Sequence, residues 1–558
     1  MGSIQGGTGW RRHSVAFAAA AIVAGFQLFS SPVFAAYELP PGERITNLPA
    51  IPRNMPQKEA YENYDPVIGR NFDIKNFWMR GDMRVRPEWR NGVCFGGSPG
   101  ALGACNQSVG GRGSGPGANN SFVQQWARLG IGYDLSPDVN FYVELIYSHD
   151  WGTTGTPGNA GAGGGPALNN NCAVGGQCNL GVRAAYMLVR NLGDVQGLSM
   201  KAGRQYLVFG NQSLLGHFDW ANTGFSHDGF MLNYSGNKNF ETWLGWFREA
   251  DLNIGEAAST GSFSAAPANM SKNQAQMVVF YNQIKSIPGV LIEPHYILWQ
   301  SGLPSATGAA PGLTSAIGSN VGVWVPKSAN QVRHTVGNRI EVRKGNFDFI
   351  NELEYQFGSM ASGQTAGTVG ANTQNVHINA WATRNWLGYT HYQSKWKPRF
   401  AVGLDYASGD GNANCNAPGR AATCTTGNTF ENLYPTNHIH MGYMDVMAWK
   451  NMLTPSANIQ FRPSARDHFE IWYNNFNLAS ARDNWYRGSQ TVYVFSSNTN
   501  TAKHIGDELD FTWTRMFADG KVALQASYAY MFSGDYIRQQ LGNHSDQQWA
   551  YASLWVNF

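Results

Sequence analysis

From residue 77 onwards the sequence consists of short segments in which apolar and polar side chains alternate with a period of two. In the segment at 139–150, Phe141, Val143 and Leu145 share one face, and Tyr142 and Glu144 share the other. This is the pattern of a β-strand with one apolar and one wet face. About eighteen such segments can be counted, starting near residues 77, 122, 139, 180, 198, 228, 240, 273, 289, 331, 346, 375, 398, 446, 467, 503, 521 and 547.

The connections between these segments alternate between short and long. Those after even-numbered segments, such as Ser136-Pro137-Asp138, run to about 3–7 residues, and those after odd-numbered segments to about 15–40. Outer-membrane barrels have short periplasmic turns, long outer loops and an even number of strands. The sequence therefore predicts an all-β fold, a transmembrane antiparallel β-barrel of about 18 strands with short periplasmic turns and long extracellular loops. A water-soluble sandwich has no such rhythm.

The composition agrees with a membrane barrel and excludes other classes. Charged residues make up only 14% of the 558 residues, against roughly 25% in soluble proteins. Beyond the first thirty or so residues no apolar run reaches the ~18–20 residues of a membrane-spanning helix. The net charge of +3 is too small to indicate nucleic-acid binding.

The N-terminus has the features of a secretory signal. Arg11, Arg12 and His13 precede an apolar stretch at 15–29, and small residues then suggest cleavage after Ala35. A membrane anchor is disfavoured because the apolar stretch is too short. We divide the chain into a signal peptide at 1–35, an irregular periplasmic lead-in at 36–76 and the barrel at 77–558, and expect it in the Gram-negative outer membrane. The terminal Phe558 is typical of the last strand of such barrels.

Six cysteines support an oxidising compartment. They fall in long connections as three sequence-local pairs: Cys94 with Cys105, Cys172 with Cys178, and Cys415 with Cys424. Their clustering favours three local disulfides over the other pairings. A metal or redox site is the alternative, but the sequence has no Cys-x-x-Cys and no histidines at ligand spacing beside these cysteines.

Arginines recur on the wet face of two predicted strands. On the first strand Arg80, Arg84, Arg86 and Arg90 alternate with apolar residues, and the tenth strand repeats the pattern. We predict that the pore is lined by Arg80, Arg84, Arg86, Arg90, Arg128, Arg204, Arg333, Arg339, Arg343, Arg384 and Arg399.

Guanidinium groups remain charged when desolvated and bind carboxylates through a fixed fork of donors. Rows of arginines on a pore wall lower the barrier for an anion. In the alternative interpretation they pair with interleaved acids and only hold the wall rigid; these acids are Asp82, Glu88, Glu341, Glu352 and Glu354. The first strand has more arginines than acids, which favours an anion-attracting pore.

Motifs of enzymes are lacking. The sequence contains no P-loop or His-Glu-x-x-His motif. His438 and His440 lie two apart in a predicted outer loop, where hydrogen bonding explains them better than a metal does. We therefore expect no catalysis, no cofactor and no metal.

Three parts of the sequence resemble the alginate-export family of outer-membrane porins. They are Arg84-Val85-Arg86-Pro87-Glu88-Trp89-Arg90-Asn91, the run from Gly203-Arg204-Gln205 to Asp228, and the run from Asp405-Tyr406-Ala407-Ser408-Gly409-Asp410 to Gly442-Tyr443-Met444-Asp445. The resemblance implies a monomeric eighteen-stranded barrel whose arginine-lined constriction passes an anionic polyuronate outwards. The Gly/Asn/Ser-rich outer loops with cysteine pairs differ from the dedicated alginate exporter.

Other functions therefore remain open beside passive passage of anionic solutes or polyuronate. One is a general, weakly selective porin, and another is a structural barrel that scaffolds a periplasmic partner. The expected surroundings are the lipid bilayer and lipopolysaccharide, and no nucleic acid is expected.

The run at 203–228 is predicted to form the outer loop after the fifth strand. We expect Arg204 to pair with Asp219 across the barrel rim. If this loop folds inward it narrows the pore; otherwise it seals the top of the barrel.

Overall fold

The computed structural model describes residues 76–92, 120–151, 180–220, 224–248, 276–304, 328–361, 375–411, 426–488, 492–494, 499–541 and 545–557. Eighteen strands in this part of the chain form one antiparallel barrel sheet. In chain order they are β1 Phe77–Asn91, β2 Asn120–Ser136, β3 Val139–Asp150, β4 Leu180–Val189, β5 Leu198–Gln205, β6 His227–Asn237, β7 Phe240–Arg248, β8 Gln276–Ile284, β9 Val290–Pro304, β10 Ser328–Lys344, β11 Phe347–Ala361, β12 Asn375–Thr390, β13 Arg399–Ala407, β14 Met452–Phe461, β15 Asp467–Leu478, β16 His504–Phe517, β17 Val522–Ser533 and β18 Gln547–Asn557.

The sheet is closed by its first and last strands. Each strand pairs with its neighbours in the chain, and β1 pairs with β18 from Asp82 opposite Asn557 to Asn91 opposite Gln548. Closure gives every strand two hydrogen-bonded neighbours and leaves no sheet edge, which a bilayer requires because it offers the backbone no water. The predicted eighteen-stranded antiparallel barrel is confirmed.

The alternation of turns and loops is also confirmed. Two residues, 137–138, join β2 to β3, whereas residues 408–451 separate β13 from β14. The largest error concerns the fourteenth strand, which was expected near residue 446 and starts at Met452. Residues 446–449 are apolar because they are buried inside the barrel as part of a loop.

The outer face of the barrel is apolar and bounded by aromatic side chains. Side chains such as Val402 point outward and are exposed, whereas their neighbours point inward and are buried. Near the short turns, the rings of Phe347 and Tyr389 lie 5.0 Å apart, and towards the long loops Trp381 and Tyr406 lie 4.3 Å apart. An apolar band with aromatic girdles is the surface of a barrel embedded in lipid.

Three long connections turn into the barrel. We call them loop 5–6 (206–226), loop 13–14 (408–451) and loop 15–16 (479–503). Leu215 forms a parallel bridge with Tyr434, and Gly216 N–H donates to the Tyr434 carbonyl at 2.7 Å. The Trp485 indole N–H donates to the Val446 carbonyl at 2.8 Å. The described residues of the three loops are largely buried and form one packed unit inside the barrel.

Short elements complete the described structure. A seven-residue helix, α1 (Asp535–Leu541), follows β17, and the two-residue strand Thr426–Gly427 pairs in parallel with β12. In the described part of the chain no helix is long and apolar enough to cross a membrane.

Two of the predictions made from the sequence fall on parts of the chain outside the described residues. One concerns the signal peptide and the lead-in up to residue 75. The other concerns the three local disulfides, since none of the six cysteines is among the described residues: Cys94, Cys105, Cys172, Cys178, Cys415 and Cys424. The cleavage site and the pairing of Cys94 with Cys105, of Cys172 with Cys178 and of Cys415 with Cys424 therefore stay predictions.

The outward orientation of Leu353 generates a test of the lipid-facing surface. Leu353 lies in the middle of β11 and is 48% exposed, and Leu135, beside the short turn after β2, is 47% exposed. Arginine facing lipid costs about 2–4 kcal/mol at the bilayer midplane and about 0–1 near its interfaces. We expect Leu353→Arg to lower the free energy of unfolding in vesicles by the larger amount and Leu135→Arg by the smaller one. Equal costs in a urea titration would contradict the assigned membrane position.

Candidate functional site

Most of the arginines predicted to line the pore point into the barrel. Burial alternates along β1 from Asp82 to Trp89, where Arg84 and Arg86 are buried and Met83 and Trp89 are exposed. The same alternation directs the side chains of β2, β10, β12 and β13. The inward-facing arginines of the predicted set are Arg80, Arg84, Arg86, Arg90, Arg128, Arg333, Arg339, Arg343, Arg384 and Arg399.

Arg204 is the exception. It shares the outer face of β5 with Met200, while Lys201 and Gln205 point inward. Its guanidinium group pairs at 2.7 Å with Asp228, which is 46% exposed. The structure thus places Arg204 on the outside of the barrel near the long loops, and the expected pair between Arg204 and Asp219 is wrong.

Carboxylates accept hydrogen bonds from most of the inward-facing arginines. On the wall, Arg128 binds Asp82 through Nε at 2.9 Å, and Arg399 binds Asp348 at 2.7 Å. The other wall pairs are Arg80–Glu144, Arg86–Glu88, Arg90–Glu88, Arg339–Glu293, Arg339–Glu341, Arg343–Glu341 and Arg384–Asp405. Arg333 donates instead to the side-chain carbonyl oxygen of Gln356 at 2.8 Å. Much of the arginine charge is therefore balanced within the wall.

Four arginines from β1, β2 and β4 converge on the tip of loop 5–6. Arg128 Nη1 and Arg183 Nη2 donate to opposite oxygens of the Asp219 carboxylate, at 3.1 and 3.2 Å. Arg84 Nη1 donates to the Asp219 carbonyl at 2.7 Å, and Arg86 Nη1 donates to the next carbonyl along the chain at 2.6 Å. Loop 5–6 therefore folds into the barrel, which is one of the two alternatives predicted for it.

Aromatic rings surround these guanidinium groups and join two of the inner loops. The guanidinium carbon of Arg86 lies 3.5 Å from the ring centroid of Trp220, which stacks on His438 of loop 13–14 at 3.6 Å. Arg84 lies 3.8 Å above the Trp126 ring in the same way. Cation–π contacts of this kind are strongest where water is excluded. The stack of Arg86, Trp220 and His438 connects the barrel wall to both loops.

Buried acids on β15 and β16 hold loop 13–14. Glu470 accepts a hydrogen bond from the Tyr443 hydroxyl at 2.8 Å, and Glu508 accepts one from the Met444 backbone N–H at 2.9 Å. Asp510 lies beside Glu508 on β16 and is also buried. The lumen wall therefore has an arginine-rich stretch on β1–β5 and a carboxylate-rich stretch on β15 and β16, which β17 and β18 separate from β1.

Arg183 and Lys201 are inward-facing cations that sequence reasoning missed. Arg183 is the extra residue of a β-bulge, because Glu144 opposes Ala184 while Leu145 opposes Val182. A bulge interrupts the period of two, so the alternation cannot assign Arg183 to a face. Lys201 lies within a short strand and approaches the ring of Tyr186 to 4.1 Å.

The histidines of loop 13–14 take part in hydrogen bonds. His438 Nδ1 lies 3.0 Å from Asp445 Oδ1, and His440 Nε2 lies 2.6 Å from the Asn211 carbonyl. Burial lowers the pKa of His438, although Asp445 acts in the opposite direction. Within the described ranges, no group of three or more His, Cys, Asp or Glu side chains is arranged to hold a metal ion.

Comparisons with known proteins agree with this architecture. The profile of the family described as "Alginate export" matches residues 177–551. The chain belongs to the alginate export family. No curated protein matches the chain.

Several solved structures align with most of the chain at low sequence identity. OccK5 (OpdH) of Pseudomonas aeruginosa has a TM-score of 0.45 and 10% identity over 86% of this chain and 98% of its own. OccAB1 of Acinetobacter baumannii has a TM-score of 0.45 and 14% identity over 86% and 97%. OpdK of Pseudomonas aeruginosa, solved with vanillate, has a TM-score of 0.45 and 9% identity over 86% and 98%.

Family membership and the closed barrel together assign the protein to a class. A lipid-facing barrel of eighteen strands in a chain of the alginate export family is an outer-membrane channel. Its surroundings are the bilayer and lipopolysaccharide of the outer membrane, and its lumen is the route for solutes.

Gly224 allows a test of how Arg183 holds loop 5–6. At φ +64°, a Cβ at this position would lie 2.2 Å from Arg183 Nη2. Gly193 has nearly the same φ, +63°, but nothing within 4 Å of its Cβ position. Both glycine-to-alanine substitutions incur the left-handed penalty of about 1–2 kcal/mol, and we expect Gly224→Ala to cost a further 1–3 kcal/mol or so from overpacking. Urea unfolding in detergent micelles measures the difference; equal losses would rule out the close approach.

The junction of loops 13–14 and 15–16 is predicted to depend on pH. Burial, and then the negative charge of Asp410, raise the pKa of Asp483 from 3.8 to about 7. The folded protein thus binds this proton more tightly than the unfolded chain does, so the stabilisation is complete below about pH 4 and is lost as the pH rises through about 7. We expect the melting temperature to fall between pH 5 and 8, and to fall less in Asp483→Asn. Asp194→Asn, on an exposed turn, is the control and should retain the wild-type pH dependence.

Proposed function

We propose that the channel passes anionic solutes, including polyuronates of the alginate type, by passive diffusion along an arginine-bearing wall of the lumen. The observation that carries this proposal is the imbalance of charge on β1. Four arginines of this strand point inward, but only two carboxylates, Asp82 and Glu88, do so. Arg128, Arg183 and Lys201 extend the positive surface over β2, β4 and β5.

The chemistry of this surface suits a carboxylate that has to move. Arginine binds carboxylates through directed hydrogen bonds and stays charged in a desolvated lumen. Conduction also requires that each site release its ion, so neighbouring sites of moderate affinity are better than one strong site. The wall acids paired with these arginines, such as Glu144 beside Arg80 at 3.5 Å, moderate the affinity of each step.

A general, weakly selective porin is the second candidate. The observation in its favour is the carboxylates of β11, β15 and β16, which offset the positive charge of the arginines: Asp348, Glu352, Glu354, Glu470, Glu508 and Asp510. A lumen whose wall carries charges of both signs admits small ions of either sign. A scaffold for a periplasmic partner is a third candidate, favoured by the three loops packed inside the barrel.

Single-channel recording in a planar bilayer under a salt gradient tests these candidates. We expect anion selectivity and a block of the current by an alginate oligosaccharide but not by a neutral maltooligosaccharide. An open channel that is indifferent to both sugars would indicate a general porin. A barrel without conductance would favour the scaffold.

Arg80 and Arg343 are the substitutions of choice for the selectivity measurement. Both face the lumen and are partly accessible, and the Arg343 side chain is 30% exposed. Replacing each by Gln leaves Glu144 or Glu341 with fewer positive partners, so the anion-to-cation permeability ratio should fall by about twofold or more.

Arg515→Gln is the matched control. Arg515 is 39% exposed and pairs with Asp467, but it lies on the outer face of β16. It should leave the reversal potential unchanged. A shift in the control equal to that of the lumen variants would remove the support for an arginine pathway.

A further inference from the structure

We infer that the four arginines around the tip of loop 5–6 form a binding site for a solute carboxylate, and that the Asp219 carboxylate fills this site as a built-in competitor. This inference rests on the proposed function, and it adds a defined site together with the group that a solute has to displace.

The site has the form of a carboxylate receptor. Arg128 comes from β2 and Arg183 from β4, and each donates one N–H to a different oxygen of Asp219, at 3.1 and 3.2 Å. Both guanidinium groups are buried. Two donors on opposite oxygens of one carboxylate give charge-assisted hydrogen bonds with a fixed direction.

Other interactions hold the two guanidinium groups in place. Arg128 Nε binds both oxygens of Asp82 at 2.9 Å, and Arg183 Nη2 also donates to the His217 carbonyl at 2.8 Å. The Arg183 guanidinium lies 4.4 Å from the Tyr206 ring. The Asp82 pair and the Tyr206 contact do not involve the Asp219 carboxylate, and they orient the donors for any carboxylate that replaces it.

The two remaining arginines donate to neutral acceptors of the loop. Arg84 and Arg86 donate to the two consecutive backbone carbonyls of Asp219 and Trp220, at 2.7 and 2.6 Å. The loop tip therefore presents one carboxylate followed by neutral oxygens. A uronate unit carries the same set, a carboxylate with hydroxyl and ring oxygens beside it, which makes acidic sugars the ligand class that fits these four arginines.

The backbone that carries Asp219 is held in an unfavourable conformation. Phe218 has φ +53°, in the left-handed region that a bulky side chain rarely adopts. Its backbone N–H donates to Thr436 Oγ1 at 3.1 Å. Strain of this kind persists only where the surrounding contacts impose it. The position of the loop tip therefore depends on its contacts with the four arginines.

Competition of this kind has a predictable effect on affinity. A tethered carboxylate acts at an effective concentration in the millimolar range, and the observed affinity of a solute falls in proportion to the fraction of time that the site is vacant. Replacing the carboxylate of Asp219 by an amide keeps its size but removes the charge. We expect Asp219→Asn to bind a uronate about tenfold more tightly than the wild type.

Calorimetry in detergent micelles, with an alginate trisaccharide as the probe and maltotriose as its neutral counterpart, tests the inference. Asp219→Asn should bind the trisaccharide about tenfold more tightly and maltotriose no better. The matched control is Asp410→Asn, which changes another buried loop carboxylate whose partners include Asn428 at 2.8 Å. It should bind the trisaccharide as the wild type does. Adding Arg183→Gln to Asp219→Asn should abolish the gain.

A second measurement uses the wild-type protein and does not depend on a variant folding. The trisaccharide should accelerate amide hydrogen exchange at 215–220, because the displaced loop tip loses its hydrogen bonds to the arginines. Maltotriose should not accelerate it. Unchanged exchange in the presence of bound trisaccharide would overturn the inference.

The outcomes separate this inference from the proposed function. If Asp219→Asn gains affinity but the bilayer recordings show no anion selectivity, the site stands and the anion pathway is wrong. If the recordings show anion selectivity but Asp219→Asn binds the trisaccharide no better than the wild type, or gains no more than Asp410→Asn does, the inference is wrong and the pathway stands.

Discussion

Buried guanidinium groups are the constraint on which the interior of this barrel depends. An arginine removed from water keeps its charge, and the desolvation is tolerated only where acceptors are supplied. Neighbouring strands provide some of these acceptors, as Asp82 does for Arg128. The inner loops provide the others, through the carboxylate of Asp219 and through carbonyls of the backbone. The arginines thus determine where loop 5–6 can lie, as well as the charge of the wall.

The same constraint explains why the loops join different stretches of the wall. Loop 5–6 offers oxygens to the cationic strands, while loop 13–14 offers the N–H of Met444 and the hydroxyl of Tyr443 to the acids of β15 and β16. The bridge between Leu215 and Tyr434 then ties the two loops together. Each stretch of the wall is thus hydrogen-bonded by the loop that carries the complementary groups. The segregation of charge around the lumen therefore also determines where each loop packs.

Much of the fold could be predicted from the sequence, because a lipid-facing barrel forces apolar and polar residues to alternate and turns to be short on one side. The errors have physical causes. Residues around Val446 are apolar because they are buried in a loop, which resembles a strand in composition. Arg204 lies at the end of β5, where the surface approaches the polar headgroups and an outward charge is tolerated. The β-bulge at Arg183 interrupts the alternation, so the sequence pattern does not show which face of β4 its side chain occupies. Contacts between distant loops, such as Trp220 on His438, leave no periodic signal at all.

Pairing within the wall and attraction of solutes are often treated as alternatives for pore arginines, but under the proposed function they form one mechanism. An unpaired buried arginine would bind an anion too strongly to release it, and a fully neutralised one would not attract it. Arg128 is shared between a fixed wall acid, Asp82, and a loop acid, Asp219, that can leave only if the loop moves. On our proposal the fixed partner limits the affinity of the site, and the movable partner occupies it until an incoming carboxylate displaces it. A wall with only fixed pairs would make a rigid barrel, whereas acceptors on a loop would allow the same arginines to exchange one anion for another.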